Sequence, residues 1–131
     1  MKRWCKYFYK AQKGQSLVEF ALLVPVFVIM LFGIMEFARL WETMNVLTSA
    51  AREGARVAAV TAPSVSQATN AVERLLGAAN ISGAAVTVSG PNSDAEVIVT
   101  VSVNYTPLTG SIVPGIGAIS LTRSSAMHWE G

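Results

Sequence analysis

Few residues in this chain of 131 are equipped for chemistry. It has one histidine, His128, and one cysteine, Cys5. No two acids stand at a spacing that suggests a metal site or a general acid and base, and neither a Gly-x-Ser-x-Gly elbow nor a phosphate loop occurs. A serine nucleophile would need a positioned base that the chain scarcely provides. The expectation is a protein without enzymatic activity, cofactor or metal, with His128 on the surface. Asn80-Ile-Ser and Asn104-Tyr-Thr match glycosylation sequons, patterns short enough to arise by chance. What remains is Lys13-Gly-Gln-Ser-Leu-Val-Glu-Phe20, in which Glu19 lies just inside the most apolar segment. A charge at the centre of a membrane helix costs roughly 2.5–3.5 kcal/mol, and less near an end, so Glu19 calls for a partner. A cut between Gly14 and Gln15 would supply one, because it frees an α-amino group four residues away, about one helical turn. On one helix the two would pair locally, and the helix dipole favours an acid there. In a bundle, Glu19 of one chain would meet the amine of its neighbour and fix the register, as a lone polar group does in a coiled coil. The alternative is that Glu19 sits solvated at the headgroup boundary.

The elements around this stretch are set by charge and hydropathy. Lys2, Arg3, Lys6, Lys10 and Lys13 give the first 14 residues a charge of +5, whereas the five arginines and eight acids beyond leave −3. The basic balance is confined to the head, which argues against a nucleic-acid surface. Sixteen uncharged residues follow, Phe20 to Met35, spanning roughly 24 Å. With Leu17, Val18, Phe37, Leu40 and Trp41 the segment reaches the roughly 30 Å of a bilayer core. The lysine bias places the N-terminus in the cytoplasm and everything after Trp41 outside, making a single-pass membrane protein. Trp4, Tyr7, Phe8 and Tyr9 fit the inner interface and Trp41 the outer one. A cleaved secretory signal is the competing reading, but its nearest small-residue cluster, Thr48-Ser-Ala-Ala51, lies far beyond the apolar run, past Glu36, Arg39 and Glu42. Cys5 falls in the reducing compartment and leaves no disulfide for the exported part.

Phe37, Leu40, Trp41, Met44, Leu47, Ala51, Ala55 and Ala58 recur at spacings of three and four, extending the apolar helix from Gln15 to about Thr61, before Pro63. Such a helix is roughly 70 Å long, so half of it projects from the membrane. The small residues Ala50, Gly54 and Ala58, with Ala51, Ala55 and Ala59, permit close backbone approach, either by the sheet of the same chain or by a neighbouring subunit. Arg52, Glu53 and Arg56 read as a solvated or locally paired face. Ser64-Val-Ser-Gln67 is a capping box that opens a second amphipathic helix, ending near Asn80. Beyond Ser82 the period is two: Val86 and Val88 mark one strand, Gly90-Pro-Asn-Ser-Asp94 a turn, and Val97 to Tyr105 a longer strand, paired as a hairpin. Thr106 to Gly117 reads as an irregular loop. A third strand from Ala118 to about Trp129 carries Ile119 and Leu121 on the same face as Arg123 and Ser125, which requires either a bulge or an exposed second half.

The fold class is therefore α+β: a long N-terminal transmembrane and projecting helix, a second short helix and a small three-stranded antiparallel sheet. The expected divisions are a removed basic leader, 1–14, a membrane and assembly helix, 15–41, and a periplasmic or extracellular domain, 42–131.

Gly14 followed by Glu19-Phe20 resembles the class III signal of type IV pilins. The run Gly14-Gln-Ser-Leu-Val-Glu-Phe-Ala-Leu-Leu-Val-Pro25, with Phe32-Gly-Ile-Met-Glu-Phe-Ala-Arg-Leu40 and Ala50-Ala-Arg-Glu-Gly-Ala-Arg56, is similar to TadE-like proteins, pseudopilins or minor pilins of the tight-adherence (Tad) pilus. The resemblance covers residues 14 to 60 strongly and continues weakly through Val97 to Leu108 and Leu121 to Met127. It implies that prepilin peptidase cuts after Gly14 and that Glu19, with Phe20, serves processing or assembly. It further implies that the apolar helix holds the subunit in the inner membrane until it joins other Tad pilins and pseudopilins at the assembly platform, for pilus biogenesis and surface adhesion. Pro25 and Gly33 would loosen that helix, since proline removes a hydrogen bond. Gln15 departs from the pattern, being polar where many relatives carry a smaller or apolar residue, which bears on methylation of the amine. Major pilins of such systems are little more than the helix, whereas roughly 90 residues follow Trp41 here, which fits a minor role. A reading of another class is a permanently anchored periplasmic binding or scaffold module that keeps its basic head.

Overall fold

The computed structural model describes residues 5–60, 64–111, 115 and 117–129. The chain divides into two units, Met1–Phe37 and Ala38–Gly131. Helix α1, Cys5–Val60, contributes to both.

In the first unit the helix begins at Cys5, ten residues before the expected start at Gln15. Lys6, Lys10, Ala11, Gln12 and Lys13 are good helix formers, and no proline interrupts the run from Cys5 onward, so a helix has no local reason to begin later. Pro25 lies inside the helix, which continues through it. The aromatic residue Trp4 lies outside the described residues, as does the expected stop before Pro63 at residues 61–63.

The second unit is α+β. Its part of α1 is followed by α2, Val65–Ala78, and by three strands, β1 (Ala85–Ser89), β2 (Glu96–Tyr105) and β3 (Ile119–His128), with a short 3-10 turn at Leu108–Ser111 in the loop expected to be irregular. Ser64 caps α2: its backbone is extended, and its hydroxyl accepts from the Gln67 N–H at 3.4 Å. Four hydroxyls along the helices are satisfied by their own backbone. Thr43 donates to the Arg39 carbonyl, Thr48 to Met44, Ser49 to Asn45 and Thr69 to Val65, all four residues back.

The sheet is antiparallel throughout, in the order β1-β2-β3. β2 is central, and its alternation is complete: Val97, Val99, Val101, Val103 and Tyr105 are buried. Val86 and Val88 of β1 stand opposite Val101 and Val99, and Leu121 of β3 stands opposite Val103. The other face carries Thr87, Thr100 and Ser124 in one row and Ala85, Ser102 and Thr122 in the next. At the hairpin, Gly90 has φ +118°, and a β-carbon there would meet Val97 Cα at 3.0 Å, so only glycine fits without strain.

β3 answers the question posed by Arg123 and Ser125. The ladder from Tyr105 opposite Ile119 to Glu96 opposite His128 runs without a bulge. Arg123, Ser125 and Met127 are half-buried rather than exposed, so neither expected alternative holds. The Arg123 guanidinium reaches across the core face, where Nη2 donates to the Met44 thioether at 3.4 Å and Nη1 to the Thr122 carbonyl at 3.2 Å. A long side chain can lie along apolar surface while its charged head finds acceptors at the margin.

The core joins Leu47, Ala50, Ala51, Ala55 and Ala58 of α1 to Ala68, Val72 and Leu76 of α2 and to the inner face of the sheet. Small side chains on α1 let the valines of β2 approach its backbone.

Candidate functional site

The residues with chemical potential lie along α1. Gly14, Gln15, Leu17, Val18, Glu19 and Phe20 are all exposed on one continuous helix. The Gln15 side-chain amide, Nε2, donates to Glu19 Oε1 at 3.4 Å, a long contact of the i,i+4 kind. In the intact chain the neighbour of the Glu19 carboxylate is thus the Gln15 side chain, since the Gln15 backbone nitrogen is still a peptide amide. The four-residue spacing held the signal for this contact as much as for a freed amine.

From Leu17 to Trp41 the large apolar side chains stand outward, including Phe20, Leu22, Phe27, Ile29, Leu31, Ile34 and Phe37. Within Gly14–Val60 the helix contains a stretch long and apolar enough to cross a membrane, and none of it is buried. Water is a poor solvent for such a surface; lipid or a bundle of like helices suits it. Gly33, midway along, has nothing within 4 Å of where a β-carbon would stand.

The small residues farther along have the opposite surroundings. Ala50, Ala51, Gly54, Ala55 and Ala58 are all buried in the second unit. A β-carbon on Gly54 would stand 2.6 Å from Val72 Cγ2 and 3.1 Å from Val99 Cγ1, so α2 and β2 of the same chain occupy this stripe. Beside it, Arg56 grips Glu53 with two parallel bonds, Nε to Oε2 at 2.9 Å and Nη2 to Oε1 at 2.7 Å. The hydrogen bond from Arg56 holds the Glu53 carboxyl below its ordinary value and raises the Arg56 guanidinium above its own.

One cleft of about 370 Å³ was not legible beforehand. It lies within the second unit and gathers Arg39, Glu42 and Thr43 of α1 with Asn80, Asn104 and Tyr105. Asn80 sits at φ 56° just after α2, a conformation that asparagine tolerates better than most residues. Both sequon asparagines face this cleft, 24 positions apart in sequence and joined only by the fold. His128 is exposed and stands opposite Glu96 across the strand pair. Among the described residues, no three His, Cys, Asp or Glu side chains gather as a metal site would require.

These features define a class: a protein with one outward-facing apolar helix able to span a membrane, carrying a compact α+β unit in which small residues seat a sheet and a second helix. Compared with known families, residues 14–56 match the family of TadE-like proteins. The matched segment runs from Gly14 through Glu19 and the apolar surface to Arg56. Neither the curated proteins nor the solved structures give a match to the chain.

Proposed function

We propose that the chain is a minor pilin or pseudopilin of a Tad-type type IV pilus. Prepilin peptidase cuts between Gly14 and Gln15, removing the basic head. The apolar part of α1 then holds the subunit in the inner membrane until the assembly platform passes it to a growing filament of Tad pilins and pseudopilins, which serves surface adhesion. The observation that carries this reading is the TadE-like match over residues 14–56, which begins at the glycine of the cut and contains Glu19 five residues on. The physics supports it. Cutting removes five positive charges that would otherwise resist passage out of the cytoplasmic leaflet, and it creates an ammonium near an acid at the edge of an apolar segment. When the helix packs among others, the pair fixes axial register, because any other stagger leaves a charge unpartnered in oil. Pro25 and Gly33 give that helix the local freedom to adjust to its neighbours.

One observation favours a second reading, a permanently anchored periplasmic binding or scaffold module. α1 is helical from Cys5 through the Gly14–Gln15 bond, and a peptidase that takes its substrate extended must first unwind this turn. The glycine lowers that cost by roughly 1 kcal/mol relative to alanine. Intact-mass measurement of the protein made with and without prepilin peptidase separates the readings. Loss of residues 1–14 only when the peptidase is present is the expected result. A chain that keeps its head in both cases overturns the pilin proposal in favour of the anchored module.

A further inference from the structure

We infer that Gln15, once it becomes the first residue, is a modification site: its freed amine closes on its own side chain to form a pyroglutamyl lactam, with Glu19 relaying the proton. This rests on the cut between Gly14 and Gln15 proposed above. The observation that carries it is the contact between Gln15 Nε2 and Glu19 Oε1 at 3.4 Å, which sets a carboxylate at the nitrogen that has to leave.

The step balances within the residue. The neutral α-amine attacks the side-chain carbonyl carbon Cδ, and a bond forms from the α-nitrogen to Cδ. One proton passes from the attacking nitrogen to the Glu19 carboxylate and on to Nε2. The Cδ–Nε2 bond breaks, and ammonia departs. No oxidant, reductant or second substrate is needed. Nucleophile and electrophile belong to one residue and close a five-membered ring, so the reaction has the advantage of an intramolecular step. The difficult part is expelling an amide nitrogen, which must be protonated as it leaves, and a carboxyl group at hydrogen-bonding range is suited to that task. In the uncut chain the reaction is closed, because the same nitrogen is acylated by Gly14.

The consequence bears on the charge pair. The lactam nitrogen carries no positive charge and cannot be methylated as an amine, so cyclisation ends electrostatic pairing with Glu19. An amine already paired in a filament is held protonated and is no nucleophile. Cyclisation therefore falls on cut subunits that have not assembled.

The test is intact mass and N-terminal peptide mapping of the full chain, coexpressed with prepilin peptidase in cells lacking the other pilus components and then purified in detergent. The expected species begins at Gln15, weighs one ammonia less than the open form and becomes shorter by one residue on treatment with pyroglutamyl peptidase. A species that begins at Gln15 with an open or methylated amine through prolonged incubation overturns the inference and leaves the cut standing. A species that retains residues 1–14 overturns the cut and this inference with it. Glu19→Gln should slow ring closure of the cut species roughly a hundredfold. Glu19→Asp, which keeps an acid, should close faster than Glu19→Gln; where Glu19→Gln is not cut by the peptidase, all forms are released by a site-specific protease whose recognition site replaces residues 1–14 and leaves Gln15 first. Equal closure rates in wild type and Glu19→Gln overturn the assigned relay.

Discussion

Gly54 and Val72 leave no room between them for a methyl group: a β-carbon on Gly54 would stand 2.6 Å from Val72 Cγ2. Val72 is fully buried, so it cannot swing aside. Gly54→Ala gains roughly 1 kcal/mol in helix propensity but meets an overpacking cost of about 1–3 kcal/mol. The expected outcome is net destabilisation, read as faster hydrogen exchange at the β2 amides. Adding Val72→Ala should recover part of the loss, because the second truncation makes the missing space. Gly33→Ala, whose added carbon meets nothing within 4 Å, is the control and should leave β2 exchange unchanged.

Leu47 is the largest α1 side chain that the core encloses completely, amid alanines that offer little to fill its place. Leu47→Ala should cost about 2–5 kcal/mol and give the strongest loss of protection in the second unit. Ile34→Ala, on the outward apolar surface, should leave that protection intact and weaken only membrane partitioning, measured by extraction in detergent of increasing strength.

These two helical contrasts mark what could be read in the sequence. Periods of three to four and of two locate both helices and all three strands because burial imposes those periods, and Ser64 and Gly90 punctuate them by local backbone chemistry. The start of α1 was not legible, since the apolar run that marks a membrane segment does not say how far the helix extends beyond it, and Lys6, Lys10, Ala11, Gln12 and Lys13 favour helix without belonging to that run. Arg123 misled because its position on the core face says nothing of where a flexible four-bond stem places its charge. The cleft at Arg39, Asn80 and Asn104 depends on tertiary approach of α1, the end of α2 and the end of β2, which no local pattern encodes. At Glu19, spacing alone pointed to a partner one turn back but not to which group of Gln15 it meets; the choice turns on whether a peptide bond is intact.

Arg123 sits on an edge strand and points to the core face. An inward charge on an edge strand penalises pairing with another sheet, since a second strand would have to bury it. Arg123→Val should preserve the register of β3 and increase self-association of the protein, seen as a rising fraction of large species in light scattering. Arg123→Lys should remain dispersed.

Glu53 and Arg56 make a pH-dependent contribution. The Glu53 carboxyl lies below its ordinary value of 4.5 because Arg56 donates to its ionised form. A depressed folded-state value means that folding favours the deprotonated acid, so this contribution is fully present above about pH 4.5 and is lost as the pH falls through the lowered value. Both groups are substantially exposed, which keeps the effect small and sensitive to salt. Glu53→Gln should flatten the acid limb of the second unit's stability profile at low ionic strength and change little at high salt.

The Glu19 variants test the charge pair, provided that cutting and assembly are measured separately. In water, losing such a pair would cost little; in an apolar bundle, leaving its partner charged and alone costs about 3–5 kcal/mol. Glu19→Gln leaves the amine unopposed and should lower incorporation into filaments by about a hundredfold or more, a reduction expected in the fraction of cut subunits as well as in the total. Gln15→Ala keeps the carboxylate and the freed amine but removes the side chain that can close on it. Its subunits should assemble at least as well as wild type when freshly cut and should retain that competence after long storage in the membrane, while the wild type declines. The pairing account and the ring-closure account thus separate: one is decided by Glu19→Gln at time zero, the other by how Gln15→Ala and wild type diverge as unassembled subunits age.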